Sequence, residues 1–334
     1  MNHFLSQRAT GLLLAASTMV AAAAPAPAAE VFPSKPVTLL VAFPPGGPAD
    51  AVARAMEPAM TKALGQPVII ENVPGALGVL AMQRLMSRPA DGYTLIMGSP
   101  NEAIFAPLAN PTARYKAEDL ALIAPVSSHP LVVMARPGLP ATSLAQLVAA
   151  SKQPGSRPLT FGSPGHGSMY HVVSEYMAQA TGARLMHVPY KGATPMLQDL
   201  AGQQIDITIL PNLGGSIGLL ATGRIKALNV LSDSRMSTLP EVAAISESDL
   251  PHKLELVHSV WVGVMTKAGL PAERAGVLLE ASHRALQSPE VARALALSGA
   301  QPMKPQPLAV STRFYADEIA KLNAMARSVK LSPQ

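Results

Sequence analysis

Four short glycine-bearing loops have the composition to bind an anion through their backbone amides. They lie at residues 43–50, 72–78, 162–168 and 190–194. Each joins the end of an apolar run to the start of a helical pattern, which leaves unpaired N–H groups at the positive end of a helix dipole. Glycine lets such a backbone approach an anion closely. One loop of this kind is often an ordinary strand-to-helix connection, so a single loop is weak evidence for an anion site and the occurrence of four is stronger evidence.

None of these loops has the nucleotide-binding spacing G-x-G-x-x-G or G-x-x-x-x-G-K-[ST]. A nucleotide-binding fold therefore has no support. Because the loops follow strands of a predicted parallel sheet, we expect them to gather at its carboxyl edge, where ligands bind. A small organic anion such as a dicarboxylate is the ligand class that this arrangement favours.

Three histidines in the same region, His166, His171 and His187, raise a catalytic or metal-binding alternative. His171 and Glu175 are four residues apart and would share a helix face, a spacing found in zinc sites. The arrangement H-E-x-x-H is missing, and no second histidine follows at four residues. We expect no metal, no cofactor and no catalytic residue.

A serine beside these histidines leaves an exported hydrolase of small acyl substrates as an alternative. Ser163 lies three residues before His166, but residues 162–165 (GSPG) lack the nucleophile elbow G-x-S-x-G. The partners of a triad can come from anywhere in the chain, so the alternative stays open.

Composition excludes several other classes. The 334 residues carry a formal charge of +5 and no cysteine, which removes disulfides and thiol chemistry. The basic residues form no stripe, so nucleic-acid binding is not expected. Six Phe, six Tyr and one Trp are few for a site that stacks sugars. We expect Trp261 to be part of the core.

The N-terminus has the pattern of a cleaved export signal. Arg8 is followed by an apolar run at 11–24 and by the small-x-small tripeptide Ala26-Pro27-Ala28. We expect cleavage after Ala28, hence residues 1–28 as a signal peptide and a periplasmic protein. The run is short, rich in alanine and closed by prolines, which argues against a membrane span.

The rest of the chain alternates apolar runs with helical patterns, which predicts an α/β fold. Two αβ series follow one another, and the C-terminal helices are expected to pack back on the first. This predicts two lobes, each a mostly parallel sheet flanked by helices, with crossings near 129–132 and 256–261. Lobe 1 would comprise residues 29–130 and 256–334, and lobe 2 residues 131–255. A cleft between the lobes is a favoured ligand site.

Seven segments in collinear order resemble the Bug family, the periplasmic receptors of tripartite tricarboxylate transporters. They are PSKPVTLLVAFPPGGPAD (33–50), ALGQPVIIENVPGALG (63–78), ADGYTLIMGS (90–99), LTFGSPGHGSMYHV (159–172), MHVPYKGATPMLQDLAGQQIDI (186–207), GRIKALNVLSDSR (223–235) and SVWVGVMTKAGLP (259–271).

The resemblance implies a two-lobed periplasmic binding protein, of the type II-like Venus-flytrap kind, that closes on a small carboxylate. It implies membrane transporter subunits as partners, and we expect a monomer. A binding module for signalling without transport is the second alternative. The residues that the resemblance places at the ligand are Phe43, Pro44, Gly46, Gly47, Asp50, Ser99 and Asn101 in lobe 1, and Ser163, Gly165, His166, Gly167, Ser168, Tyr190 and Gly192 in lobe 2.

The chain departs from the family pattern at several of these loops. Pro48 and Ala49 stand where hydroxyl residues are common, Val73 where an Arg is common, and Leu77 where a second Gly is common. Residues 210–212 (LPN) replace a more usual Asp-Asn segment. We expect a ligand less polar than a tricarboxylate.

Overall fold

A computed structural model describes residues 31–333. The expected cleavage after Ala28 lies outside these residues. The ten strands among them are β1 (Val37–Val41), β2 (Val68–Asn72), β3 (Thr94–Gly98), β4 (Leu120–Ala135), β5 (Leu159–Ser163), β6 (Leu185–Pro189), β7 (Ile207–Pro211), β8 (Lys226–Val230), β9 (Ser259–Lys267) and β10 (Gln301–Pro302).

Ten α-helices lie between or after these strands. They are α1 (Pro48–Leu64), α2 (Val79–Met86), α3 (Ala106–Ala109), α4 (Leu144–Ser151), α5 (Met169–Thr181), α6 (Ala193–Ala201), α7 (Gly215–Ala221), α8 (Ala272–Leu286), α9 (Pro289–Leu297) and α10 (Leu308–Ser328).

The strands form two groups that share β4. In the first group β2, β1 and β3 are parallel, and β9 pairs antiparallel with β3 and β4. In the second, β6, β5 and β7 are parallel, while β7 and β8 both pair antiparallel with β4. The path through the sheet is β2-β1-β3-β9-β4-β7-β5-β6. Each group is therefore a mostly parallel sheet, which confirms the predicted α/β class.

Strand β4 is the element that connects the two groups. Its first part, Leu120–Pro130, pairs with β9, and its second part, Leu131–Ala135, pairs with β7. Sequence patterning predicts only the second part. Two prolines and three polar residues interrupt the first part, and its register shifts twice, between Leu122 and Ala124 and between Pro125 and Ser127. Bulges are where a strand accommodates proline, so local patterning underestimates its length.

The apolar and helical patterns predict most other elements to within two or three residues, and they predict a helix at 144–151 and a strand at 185–189, which are the bounds of α4 and β6. The prediction misses α7, which contains two glycines, and the turn of π-helix at Asn101–Phe105 that leads into α3. Glycine has a low helix propensity, and such short helices carry little periodic signal.

The helical pattern predicts that α1 runs from about Asp50 to Leu64 with Asp50 as its N-cap, and this predicted start is wrong. The helix begins at Pro48 and Gly47 is its N-cap, with no side chain capping it. Asp50 lies inside the first turn, and its carboxylate accepts a hydrogen bond from the Gly46 amide at 2.9 Å. Proline is favoured in the first turn because it has no N–H to satisfy, which moves the start two residues earlier.

Three clusters of buried side chains form the core. The largest extends across both groups of strands, from Leu40 to Ala326, and includes Trp261 at 2% exposure. This confirms the core position of Trp261, whose Nε1 donates to Glu318 Oε2 at 3.1 Å. Between residues 31 and 333, every helix is too short or too polar to cross a bilayer.

Candidate functional site

A pocket of about 250 Å³ opens where loops from the two groups of strands meet. One wall comes from the segment before α2 and from the turns around α3, and the other from the loop between β5 and α5. Its lining residues are Ala76, Leu77, Asn101, Ala106, Ala109, Asn110, His166, Gly167 and Ser168. One wall is thus largely apolar, and the other offers imidazole and hydroxyl groups at the start of α5.

The two walls contact one another closely. Asn101 Oδ1 accepts a hydrogen bond from the backbone amide of Met169, at the first turn of α5, at 2.9 Å. A Cβ placed on Gly165 would lie 3.1 Å from Leu77 Cδ1, and one placed on Gly167 would lie 2.0 Å from Ala109 Cβ. Glycine at 167 is therefore required both by space and by its φ of +72°.

Leu77 has an unusual backbone for a leucine. Its φ is 53° and its ψ 34°, in the left-handed region that favours glycine. This is the position at which a glycine is common in the resembled family. The leucine side chain reaches the pocket and contacts the Gly165 backbone region. Non-glycine residues held in this region cluster at ligand sites, because the surrounding structure must maintain the strain.

Ser168 caps α5 at the pocket. Its Oγ accepts a hydrogen bond from the His171 amide at 3.3 Å and donates to the Gly165 carbonyl at 2.8 Å. The same residue lines the pocket, so the N-terminus of α5 meets the pocket wall. The positive end of this helix dipole favours negative charge there.

Glu102 lies directly behind the first wall and is completely buried. It accepts hydrogen bonds from the Ser99 amide at 2.6 Å and the Ser99 hydroxyl at 2.7 Å. Burial raises the pKa of Glu102 to about 7, more than the Ser99 hydrogen bonds lower it. Ser99, a predicted ligand residue, is only 5% exposed, and its amide and hydroxyl are both hydrogen-bonded to this buried acid.

The first glycine loop does not line this pocket. Asp50, its predicted ligand residue, accepts hydrogen bonds from Gly46 N, Arg54 Nε and Asn72 Nδ2, each at 2.9 Å. Burial alone would raise the pKa of Asp50, but these hydrogen bonds outweigh it and hold the pKa below its usual value. The carboxylate thus fastens the loop to α1 and β2. Phe43, Pro44 and Gly46 are exposed beside it.

Ser163 contacts a histidine other than the one that its sequence position suggests. Its Oγ is fully buried, lies 2.7 Å from His187 Nε2 and donates to the Gly165 carbonyl at 2.9 Å. Since that oxygen has one proton to give, the His187 Nε2–H donates to Ser163 rather than removing its proton. The pair holds the loop in place and does not present an activated hydroxyl to solvent.

His166, His171 and His187 come together on the second wall. The rings of His171 and His187 stack with centroids 3.9 Å apart, and His166 lies 4.8 Å from His171. Burial, with the neighbouring imidazoles, lowers the pKa of His171 to about 3, and burial together with His166 lowers that of His187 to about 4. The rings of His171 and His187 are therefore neutral near pH 7.

The fourth loop stands apart from the pocket lining. The hydroxyl of Tyr190 donates to Asp199 Oδ2 at 2.7 Å, which fixes the tyrosine on α6. Gly192, with φ +112°, precedes the helix as its N-cap. Of the fourteen predicted ligand residues, the structure brings four into the pocket lining: Asn101, His166, Gly167 and Ser168.

Sequence reasoning did not place Ala76, Ala106, Ala109 and Asn110 at the pocket, nor Glu102 behind it. Alanines carry no chemical signature. Glu102 directly follows Asn101 in the sequence, and an acid this close to the predicted ligand residues Ser99 and Asn101 is the only sequence signal for its place behind the pocket. The hydroxyl of Tyr115, distant in sequence, donates to the backbone carbonyl of Glu102 at 2.6 Å.

Comparison with known proteins agrees with this architecture. The profile of the family described as "Tripartite tricarboxylate transporter family receptor" matches residues 52–331. Protein BugT of Bordetella pertussis is 34% identical over 303 residues, covering 90% of each chain. A UPF0065 protein of the same organism is 32% identical over 312 residues, covering 92% of this chain and 93% of the relative.

Solved structures of the same kind superpose well. Rpa4515 of R. palustris, solved with adipate, gives a TM-score of 0.77 at 30% identity and covers 91% of this chain and 100% of that one. MatC of Rhodopseudomonas palustris, solved with bound malate, gives 0.74 at 28% identity and covers 88% of this chain and 99% of that one. Proteins of this family are periplasmic solute-binding receptors with a two-domain Venus-flytrap fold. The chain belongs to the tripartite tricarboxylate transporter receptor family, the Bug family, as the resemblance of its seven collinear segments predicts.

Proposed function

We propose that this protein captures a small organic carboxylate in the pocket between its two walls and delivers it to a tripartite tricarboxylate-type transporter from the periplasm. The observation that carries the proposal is the pocket at the N-terminus of α5, where Ser168, the Gly167 region and the positive helix end form one wall. Family membership supports the transporter subunits as partners and the periplasm as location.

The pocket lining supports a carboxylate of low polarity. Ala76, Leu77, Ala106 and Ala109 contribute apolar surface opposite the helix terminus. A linear dicarboxylate with a methylene chain would place CH₂ groups on this wall and one carboxylate at α5. Citrate, with a hydroxyl and three carboxylates, would leave charged groups against alanine side chains, which is costly.

The division into lobes belongs to the same proposal. We take 29–130 with 256–334 as lobe 1 and 131–255 as lobe 2, with the hinge in β4 at Pro130–Leu131 and in the chain before β9. At this place the Leu131 amide donates to the His258 carbonyl at 3.1 Å, and the His258 amide donates to Leu231 at 2.9 Å. Each crossing is a single extended segment, which allows rotation by small φ/ψ changes.

Calorimetric titration with adipate, malate and citrate tests the ligand class. We expect saturable one-to-one binding with adipate tighter than citrate. The informative variant is Ser168→Ala, with Ser143→Ala as its matched control. Both serines cap a helix with an Oγ that accepts an amide at 3.3 Å, but only Ser168 lines the pocket.

Loss of either cap should cost about 1 kcal/mol of stability. Carboxylate affinity should fall only in Ser168→Ala. Equal affinities in the two variants, or no binding of any of the three acids by a folded protein, would refute the site. Native mass spectrometry of freshly purified protein then identifies a co-purified acid.

A further inference from the structure

The histidine cluster on the second wall reaches the pocket only through His166, and its other two members have no role in the proposed binding of a carboxylate. It consists of His166, from the loop between two glycines, His171, from the first turn of α5, and His187, from β6. One ring nitrogen of each lies within 4.8 Å of one ring nitrogen of each of the others. Three imidazoles from three separate elements thus lie side by side, with the rings of His171 and His187 stacked at an angle of 18°.

The hydrogen bonds around the cluster determine where the ring protons are. His166 Nε2 lies 3.1 Å from the Ser332 carbonyl, which only accepts, so Nε2 carries the proton and Nδ1 keeps a lone pair. His187 Nε2 donates to Ser163 Oγ, as shown above, which leaves a lone pair on its Nδ1 as well.

His171 follows the same pattern. Its Nδ1 accepts a hydrogen bond from the Gly167 amide at 3.1 Å, so this nitrogen also has a lone pair. Its Nε2 lies 3.9 Å from Glu175 Oε1. A carboxylate or hydroxyl that accepts from the outer nitrogen of an imidazole is the usual support of a metal-binding histidine. Ser163 supplies such a group to His187, whereas Glu175 Oε1 lies too far from His171 to accept a hydrogen bond.

We propose that His166, His171 and His187 form a binding site for a divalent transition metal ion of the kind that imidazole prefers, represented here by Zn²⁺. Three imidazole ligands leave a fourth position open. Because His166 and Gly167 also line the pocket, that position is close to the pocket.

Metal binding requires the cluster to rearrange: the stacked rings of His171 and His187 must turn so that their in-plane lone pairs meet, and the nitrogens must approach one another. Nitrogens that bind Zn²⁺ at about 2.0–2.1 Å in a tetrahedron lie about 3.4 Å apart. The longest separation must therefore shorten by about 1.4 Å. We expect His166 to move most, because it lies between Gly165 and Gly167, whose φ angles are 158° and 72°. The lone pair of His171 Nδ1 would then bind the cation in place of the hydrogen bond that it accepts from the Gly167 amide.

The test uses tag-free protein purified without its signal segment, treated with EDTA and titrated with ZnCl₂ by calorimetry, with no carboxylate present. We expect one Zn²⁺ per chain. His187→Gln, which keeps a hydrogen-bonding group near Ser163, and His171→Gln should each weaken binding at least tenfold. The matched control, His252→Ala, removes a histidine that is exposed and paired with Glu255 at 3.0 Å, and should bind as the wild type does.

Circular dichroism of each variant separates loss of a ligand from loss of the fold. Substitution of Zn²⁺ by Co²⁺ gives visible absorption bands that report tetrahedral nitrogen coordination and should vanish in His187→Gln. The proposal is overturned if wild-type protein shows no saturable binding, or if folded His187→Gln and His171→Gln bind Zn²⁺ as tightly as His252→Ala. Carboxylate binding is measured separately, so either proposal can fail without the other.

Discussion

Gly167→Ala should hold the pocket open, because it adds a methyl group to the contact between the two walls. The new Cβ would lie 2.0 Å from Ala109 Cβ, whereas carbon atoms in contact are about 3.5–4.0 Å apart. The walls must therefore separate by about 1.5–2 Å at this point. The left-handed φ of +72° adds strain of about 1–2 kcal/mol for alanine, wherever the walls lie.

A second substitution separates these two effects. Ala109→Gly removes the atom that clashes and leaves the Ala109 Cα 3.5 Å from the new methyl, which is an ordinary contact. The double variant Gly167→Ala with Ala109→Gly keeps the backbone strain but loses the clash. Adipate affinity should fall at least tenfold in the single variant, equivalent to about 1.4 kcal/mol, and recover in the double variant.

The opening itself can be measured by pulsed electron paramagnetic resonance. The chain has no cysteine, so labels at Lys62→Cys and Gln179→Cys, both exposed, are the only ones attached. We expect a longer label-to-label distance in Gly167→Ala and the wild-type distance in the double variant. An unchanged distance in Gly167→Ala, or a double variant that fails to recover, would show that the contact does not control closure.

Two further predictions concern buried acids. The pKa of Glu102 rises from 4.5 to about 7 on folding, so its contribution favours the folded state below pH 4.5 and is lost as the pH rises to about 7. This loss, on the order of 3 kcal/mol, should appear in free energies of urea unfolding measured across that pH range, and it should be absent in Glu102→Gln. A Glu102→Gln variant with the same pH profile as the wild type would contradict the pKa shift. Asp206 is 1% exposed and accepts from Arg136 Nε at 2.8 Å and Arg157 Nη1 at 2.9 Å; Asp206→Asn should cost about 3–5 kcal/mol in thermal or urea unfolding. Arg157→Ala, whose side chain is 64% exposed, should cost under about 1 kcal/mol, and equal losses would mean that burial of the acid is not what makes it important.

Much of the fold follows from local sequence because its signals are short-range. Ser143 and Ser168 cap α4 and α5 where the pattern begins, and alternating apolar runs give every strand of the two parallel groups. The clearest exception is the first part of one strand. The first part of β4 contains Pro125 and polar residues that are tolerated only because β9 pairs with it around bulges.

The candidate site was predicted in part. Loop 162–168 lines the pocket as expected, because glycines before a helix N-terminus are a local signal. The first loop carries the same signal, but its Asp50 is engaged by Asn72 and Arg54. Whether a polar group is free or already paired depends on residues that are distant in sequence.

The sequence by itself determined the family and the α/β class, and it predicts anion binding at helix termini, because these depend on segments of ten to twenty residues. Only the tertiary structure decided that Leu77 and Ala109 contact Gly165 and Gly167, and that His166, His171 and His187 converge. The physical reason is that β5, α5 and β6 bring these histidines together through sheet pairing and helix packing, which spacing along the chain does not encode.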